Sequence, residues 1–143
     1  MPRWLKILLI VMGVGILLMA TCVGGATLWF RAHEDELRQS SKKMKAEGEV
    51  YGRSSTDSGC LAETKRRLDA SESLLDQVGI RLFLRACLGT ARPTPEFCKD
   101  APAPDAILPT MMWLQKVCSE LDAKDPQACT RTVQDIPAHC AKR

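Results

Sequence analysis

Apolar side chains run without a charge from Ile7 to Phe30, thin to one residue in seven, and then return on a helical beat among cysteines. The first stretch holds twenty-four residues. At a rise of about 1.5 Å per residue it outreaches a hydrocarbon core of about 30 Å. Residues 7–30 therefore read as a transmembrane helix. Trp4 before it and Trp29 with Phe30 at its end suit the headgroup region, and Lys6 and Arg31 bracket it. Residues 1–6, with Arg3 and Lys6, form a basic cytoplasmic end.

Residues 31–58 are polar, free of proline and rich in helix formers, with Glu34 four residues before Arg38. This predicts a helical stalk that closes on a flexible joint, GRSSTDSG. Phe30, Leu37, Met44 and Tyr51 recur every seven residues. So narrow a stripe serves either a coiled coil or packing of the stalk on the protein's own domain. His33, alone in the stalk, reads as a solvated side chain.

Residues 59–143 form a cysteine-rich helical domain. Leu61, Leu68, Leu75 and Leu82 keep a seven-residue beat that ends near Gly89, and no strand-like alternation appears. Pro95, Pro126 and Pro137 each stand three residues before a cysteine, in TPEFC, DPQAC and IPAHC. Thr94 and Asp125 can cap helices whose first turn holds the proline, while the third instance lacks a capping side chain and reads as a kink. The fold class is thus all-α: one N-terminal transmembrane helix, a helical stalk and a small domain of helical hairpins closed by disulfides.

Six cysteines, Cys60, Cys87, Cys98, Cys118, Cys129 and Cys140, are the disulfide candidates. A domain this small buries a modest core and gains from such bridges, which persist in an oxidising, extracytoplasmic compartment. Two connectivities suit the pattern. A hairpin turning at Ser73–Leu74 would join Cys60 to Cys87, a second at Ala123–Lys124 would join Cys118 to Cys129, and Cys98 would be left for Cys140. The leucine beat instead favours one unbroken helix from Cys60 to Gly89, with Cys87 bonded to Cys98. The segments ACLGTARPTPEFC and VCSELDAKDPQAC also read as a partial repeat of helical hairpins. This alternation of helix and cysteine resembles the coiled-coil-helix-coiled-coil-helix proteins, whose hairpins are closed by paired cysteines. The ten residues between Cys87 and Cys98, Cys118 and Cys129, and Cys129 and Cys140 are one more than that family's spacing, so the resemblance is of architecture and carries no function.

Lysine and arginine counts give Arg3 and Lys6 on one side of the span against Arg31, Arg38, Lys42, Lys43 and Lys45 on the other, which taken literally leaves the domain in the cytosol. The cysteines argue the reverse and outweigh the count. A bacterial inner membrane with a periplasmic domain fits them best. Two rival readings of the apolar run are a signal peptide cleaved near Gly24–Ala26, and a lipoprotein in which Met19-Ala20-Thr21-Cys22 stands for the lipobox. Thr21 and the apolar residues after Cys22 depart from the lipobox pattern. Ala20 with Gly24, and Thr21 with Gly25, are spaced four apart, as in membrane helices that pack closely, and are the candidates for a homo-oligomer contact.

The net charge of +3 falls to +1 without Arg3 and Lys6, and aromatic residues are only 5% of the chain, so no nucleic-acid partner is expected. No two cysteines stand two residues apart, no closely spaced ligand pairs suggest zinc, and no haem-attachment motif occurs. His139 is the domain's one histidine and has no nucleophile motif beside it. The expectation is a non-enzymatic protein with no cofactor and no metal site, held in the bilayer and binding a membrane or periplasmic protein, as an accessory subunit would. The alternative is a membrane-anchored thiol redox or metal-handling protein, suggested by the cysteine count and by His139 beside Cys140.

Overall fold

A computed structural model describes residues 3–143, and among them every regular element is a helix: α1 (Arg3–Ser54), α2 (Asp57–Asp69), α3 (Leu74–Thr90), α4 (Ile107–Glu120), α5 (Pro126–Val133) and α6 (Ile136–Cys140). The side chains of Arg3, Lys6, Trp29, Phe30 and His33, on which sequence expectations fell, lie outside the described residues. The chain divides into two compact units, Met1–Gln39 and Ser40–Arg143.

In the first unit, Ile10–Leu28 is apolar enough to cross a membrane, with a mean hydropathy of 2.0 and no part of it buried in the protein. Its hydroxyls are satisfied within the helix. Thr21 Oγ1 donates to the Leu17 and Leu18 carbonyls at 3.1 and 2.9 Å, and Thr27 Oγ1 to the Gly24 carbonyl at 2.9 Å. Such back-bonding leaves no polar group unpaired in an apolar surrounding.

The second unit is built on two helical hairpins. Thr56 caps α2 by accepting the Gly59 N–H, and the helix ends at Asp69. Ser73 then caps α3 by accepting the Asp76 N–H. That cap breaks the leucine beat, so the unbroken helix over 60–89 is corrected to a hairpin: Leu68 is buried, whereas Leu75 is exposed. Cys60 and Cys87 close its open end with Cα atoms 5.8 Å apart. In the second hairpin, Asp125 caps α5 through the N–H groups of Gln127 and Ala128, with Pro126 in the first turn. Asp122, at φ 51°, ends α4 in the left-handed conformation, where its own N–H and that of Ala123 satisfy the Ser119 and Cys118 carbonyls. Cys118 and Cys129 bond across that turn. Phe83, Leu84, Leu88, Leu114, Val133 and Ile136 form the centre of the core.

Three further expectations are corrected. TPEFC opens no helix, because the Thr94 N–H donates to Asp57 Oδ2 and residues 95–100 close into successive turns, joined by bonds such as Phe97 N–H to the Thr94 carbonyl. The two repeat segments do not share a structure: the second is a bonded hairpin, whereas in the first Cys87 pairs with Cys60 and Cys98 with Cys140. The joint GRSSTDSG is ordered, because α1 continues to Ser54, Ser55 and Asp57 exchange backbone bonds with Arg92, and Asp57 is buried.

Gly48 and Gly52 explain how the end of α1 enters this unit. A Cβ at Gly48 would strike the Phe83 carbonyl and approach Ala86 Cβ to 2.9 Å, and one at Gly52 would strike the Cys87 carbonyl and Thr90 Oγ1. The bare backbone lets α1 lie directly on α3. Met44 packs against the core and the Tyr51 ring lies 5.9 Å from Phe83, so the part of the seven-residue stripe within this unit faces its own domain.

Candidate functional site

The six disulfide candidates are all paired. Cys60, Cys87, Cys118 and Cys129 are at most 2% exposed, while Cys98 and Cys140, with Cα atoms 5.4 Å apart, are half-buried. The Cys98–Cys140 bridge ties the irregular segment after α3 to the short C-terminal helix α6. Cys22, on the apolar part of α1, is free and exposed. The helix-packing candidates Ala20, Thr21 and Gly25 are exposed and Gly24 is half-buried, with nothing within 4 Å of a Cβ built on either glycine.

Two polar clusters escaped the sequence reading. Arg67 stands over the Phe83 ring at 3.9 Å and donates to Glu47 of α1 at 2.9 Å and Glu63 of α2 at 2.8 Å. A planar guanidinium suits that combination of stacking and divergent hydrogen bonds. Arg66 donates twice to Glu63, at 2.8 and 2.6 Å. The Arg66 bonds, joined by Arg67 against the opposing effect of burial, hold the Glu63 carboxyl down to about 2. Arg81 grips Asp135 with two bonds of 2.7 Å and, with Arg85 close by, keeps that carboxyl below its ordinary range.

The second cluster surrounds Asp57, which is 1% exposed. Its Oδ2 accepts from Arg143 at 2.9 Å and from the Thr94 N–H at 3.3 Å. Its Oδ1 faces His139 Nε2 at 4.0 Å, and neither atom has a protein hydrogen-bond partner. Burial pushes the His139 imidazole below its ordinary range, aided by Arg143 and Lys142 and opposed by Asp57. The arrangement latches the last residue of the chain to the start of α2. The sequence carries no signal for a contact between residues 57 and 143, whereas the i,i+4 spacing of Glu63 and Arg67 is visible in it.

Shallow grooves border these groups. A groove of about 300 Å³ beside His139 is lined by Leu84, Leu88, Arg85, Asp135 and Lys142, and a smaller one of about 160 Å³ lies among Phe97, Trp113 and Leu121. Among the described residues no three of His, Cys, Asp and Glu gather as metal ligands. The unit does present large apolar side chains to solvent: Ile107, Leu108, Met111 and Met112 in the first two turns of α4, and Leu74, Leu75 and Val78 at the start of α3. Contiguous apolar exposure of this kind marks contact surfaces. Comparison of the chain with protein-family models, with curated proteins and with solved structures gave no match.

Proposed function

We propose that residues 7–30 are an uncleaved single span in a bacterial inner membrane, and that the domain stands in the periplasm and binds a protein partner as a non-enzymatic accessory subunit. The observation that carries this reading is the set of three disulfides inside the one domain that follows the apolar stretch. Bridges so enclosed persist where thiols are kept oxidised. The burial of Cys60–Cys87 and Cys118–Cys129 also favours a structural use of these two over redox exchange, which needs an accessible, activated thiol.

The first turns of α4 supply the binding surface in this proposal. Ile107, Leu108, Met111 and Met112 share one helix face, and methionine adapts its shape to a partner at small cost. Glutamate at both Ile107 and Met112 should leave helicity and the thermal midpoint unchanged and abolish co-purification of a stoichiometric partner from gently solubilised membranes. Recovery of the parent chain only as a lone monomer would contradict the proposal. The mass of the membrane-extracted chain tests the span itself: loss of the first two dozen residues, or a lipid on Cys22, would replace it by one of the rival readings.

A further inference from the structure

We propose that Cys98–Cys140 is an exchangeable bridge, opened by a protein dithiol while the other two bridges stay closed, and that its opening loosens the start of α4. The exchange stands apart from the proposed function, whereas its bearing on partner binding rests on the reading of the α4 face as the binding surface.

The three disulfides sit in two kinds of surroundings. Cys60–Cys87 and Cys118–Cys129 each join two helices, and their four residues are at most 2% exposed. A dithiol reaches those sulfurs only after helices part. Cys98 lies instead among the turns of residues 95–100, Cys140 is the last residue of the short helix α6, and both are half-buried. Ile136 and Pro137 fix the front of α6 in the core and leave its end to move. Attack on a disulfide needs access to sulfur, and access at this bridge takes only a local opening.

The exchange balances between the bridge and the dithiol. One thiolate of the dithiol attacks the sulfur of Cys98 or Cys140, forms a mixed disulfide and expels the other cysteine as a thiolate. The second thiol of the dithiol then attacks the mixed bond and releases the remaining cysteine. Two electrons and two protons pass to Cys98 and Cys140, and the dithiol leaves as a disulfide. Asp57 keeps the freed thiols near each other, because it accepts from the Thr94 N–H and from Arg143, four residues before one cysteine and three after the other. An oxidising compartment can therefore reclose the bridge.

The segment between the bridge and α4 carries the effect onward. From Pro95 to Ala106 the backbone bonds close local turns or run to the first turn of α4, as Ala101 N–H to the Cys98 carbonyl and Thr110 N–H to that of Ala106. Helix α4 starts without a side-chain cap, and the first of its residues to lie in the core is Leu114. Its first two turns are thus held through the segment that Cys98 pins, where Thr110 Oγ1 donates to the Ala103 carbonyl at 3.3 Å. Those turns present Ile107, Leu108, Met111 and Met112.

The test uses the full chain with Cys22→Ser in detergent micelles and reduced thioredoxin as the protein dithiol, with acid quenching, alkylation and peptide mapping by mass. Cys98 and Cys140 should become alkylated about tenfold sooner than the other four cysteines. On the chain opened in this way, backbone hydrogen exchange should quicken over residues 95–112 and stay unchanged in α2 and α3, and oxidised glutathione should restore the original pattern. Opening of all three bridges together, of another bridge first, or of none would overturn the exchange. Faster hydrogen exchange throughout α2 and α3 would make the bridge a support of the whole fold and overturn the proposal as well. Unchanged exchange over 107–112 would overturn the loosening of α4. The glutamate variant at Ile107 and Met112 tests the binding reading separately: a partner it still retains would remove that reading and leave the bridge exchange standing.

Discussion

Two stretches of α1 carry small residues four apart, and they meet opposite surroundings. At Gly24 and Gly25 an added Cβ touches nothing, whereas at Gly48 and Gly52 it collides with the α3 backbone. Identical spacing therefore states only that a helix can be approached closely, and the rest of the chain decides whether it is. For the second pair the decision lies in α3, which the Cys60–Cys87 bridge and the buried Phe83 hold in place. At the first pair, nothing among the described residues comes within 4 Å of the added Cβ.

The strongest way to break this contrast is to remove the bridges. Closing loops of 42, 27 and 11 residues should contribute from about 4 kcal/mol for Cys98–Cys140 down to about 3 kcal/mol for Cys118–Cys129, a large share of a small domain's stability. Full reduction of the detergent-solubilised chain should collapse the thermal midpoint and the helicity of residues 40–143 while the apolar stretch keeps its helix. A midpoint unmoved by reduction would mean that the core holds α3 unaided.

Next in size, Gly48→Val or Gly52→Val should destabilise the domain by roughly 2–3 kcal/mol, because rigid backbone on α3 cannot retreat. Valine at Gly24 or Gly25 should leave the same denaturation curve in place. Equal effects at all four positions would erase the distinction between the stretches. Arg67→Lys sharpens it, since lysine cannot stack on Phe83 and bond Glu47 and Glu63 together. A loss of about 1 kcal/mol is expected, read as a lower denaturant midpoint at constant slope.

The response to acid falls in two windows. The His139 imidazole is depressed in the folded state, so below the ordinary value of about 6.5 the unfolded chain takes up a proton that the fold refuses. Stability is full above that pH and declines below it. Glu63 adds a second decline between 4.5 and about 2, as protonation of the unfolded chain outruns that of the Arg66-bonded carboxylate. His139→Gln should flatten the upper part of the stability–pH curve and Glu63→Gln the lower. None of these groups lies in Ile10–Leu28, whose helicity should not follow pH in either window.

Much of this architecture was legible in the chain. The charge-free run, the Asp125-Pro126 cap and the symmetric placement of Cys60 with Cys87 and Cys118 with Cys129 each express a local rule. The Ser73 cap three residues before Asp76 was also readable, but the leucine beat across it spoke for a continuous helix. What escaped depends on distant groups. Asp57 engages Thr94 and Arg143 across 37 and 86 residues, which turns TPEFC away from a helix and buries the start of α2. Gly52 reads as the start of a flexible joint and Gly48 as one more stalk residue, because their close fit is defined only by the α3 backbone they lie against.

The central claim, a disulfide-closed domain held outside the cytoplasm, is tested most directly by counting thiols on the full chain taken from native membranes, with free thiols blocked at the moment of denaturation. The account expects one free thiol, Cys22, and peptide pairs joining Cys60 to Cys87, Cys98 to Cys140 and Cys118 to Cys129. Seven free thiols would contradict it.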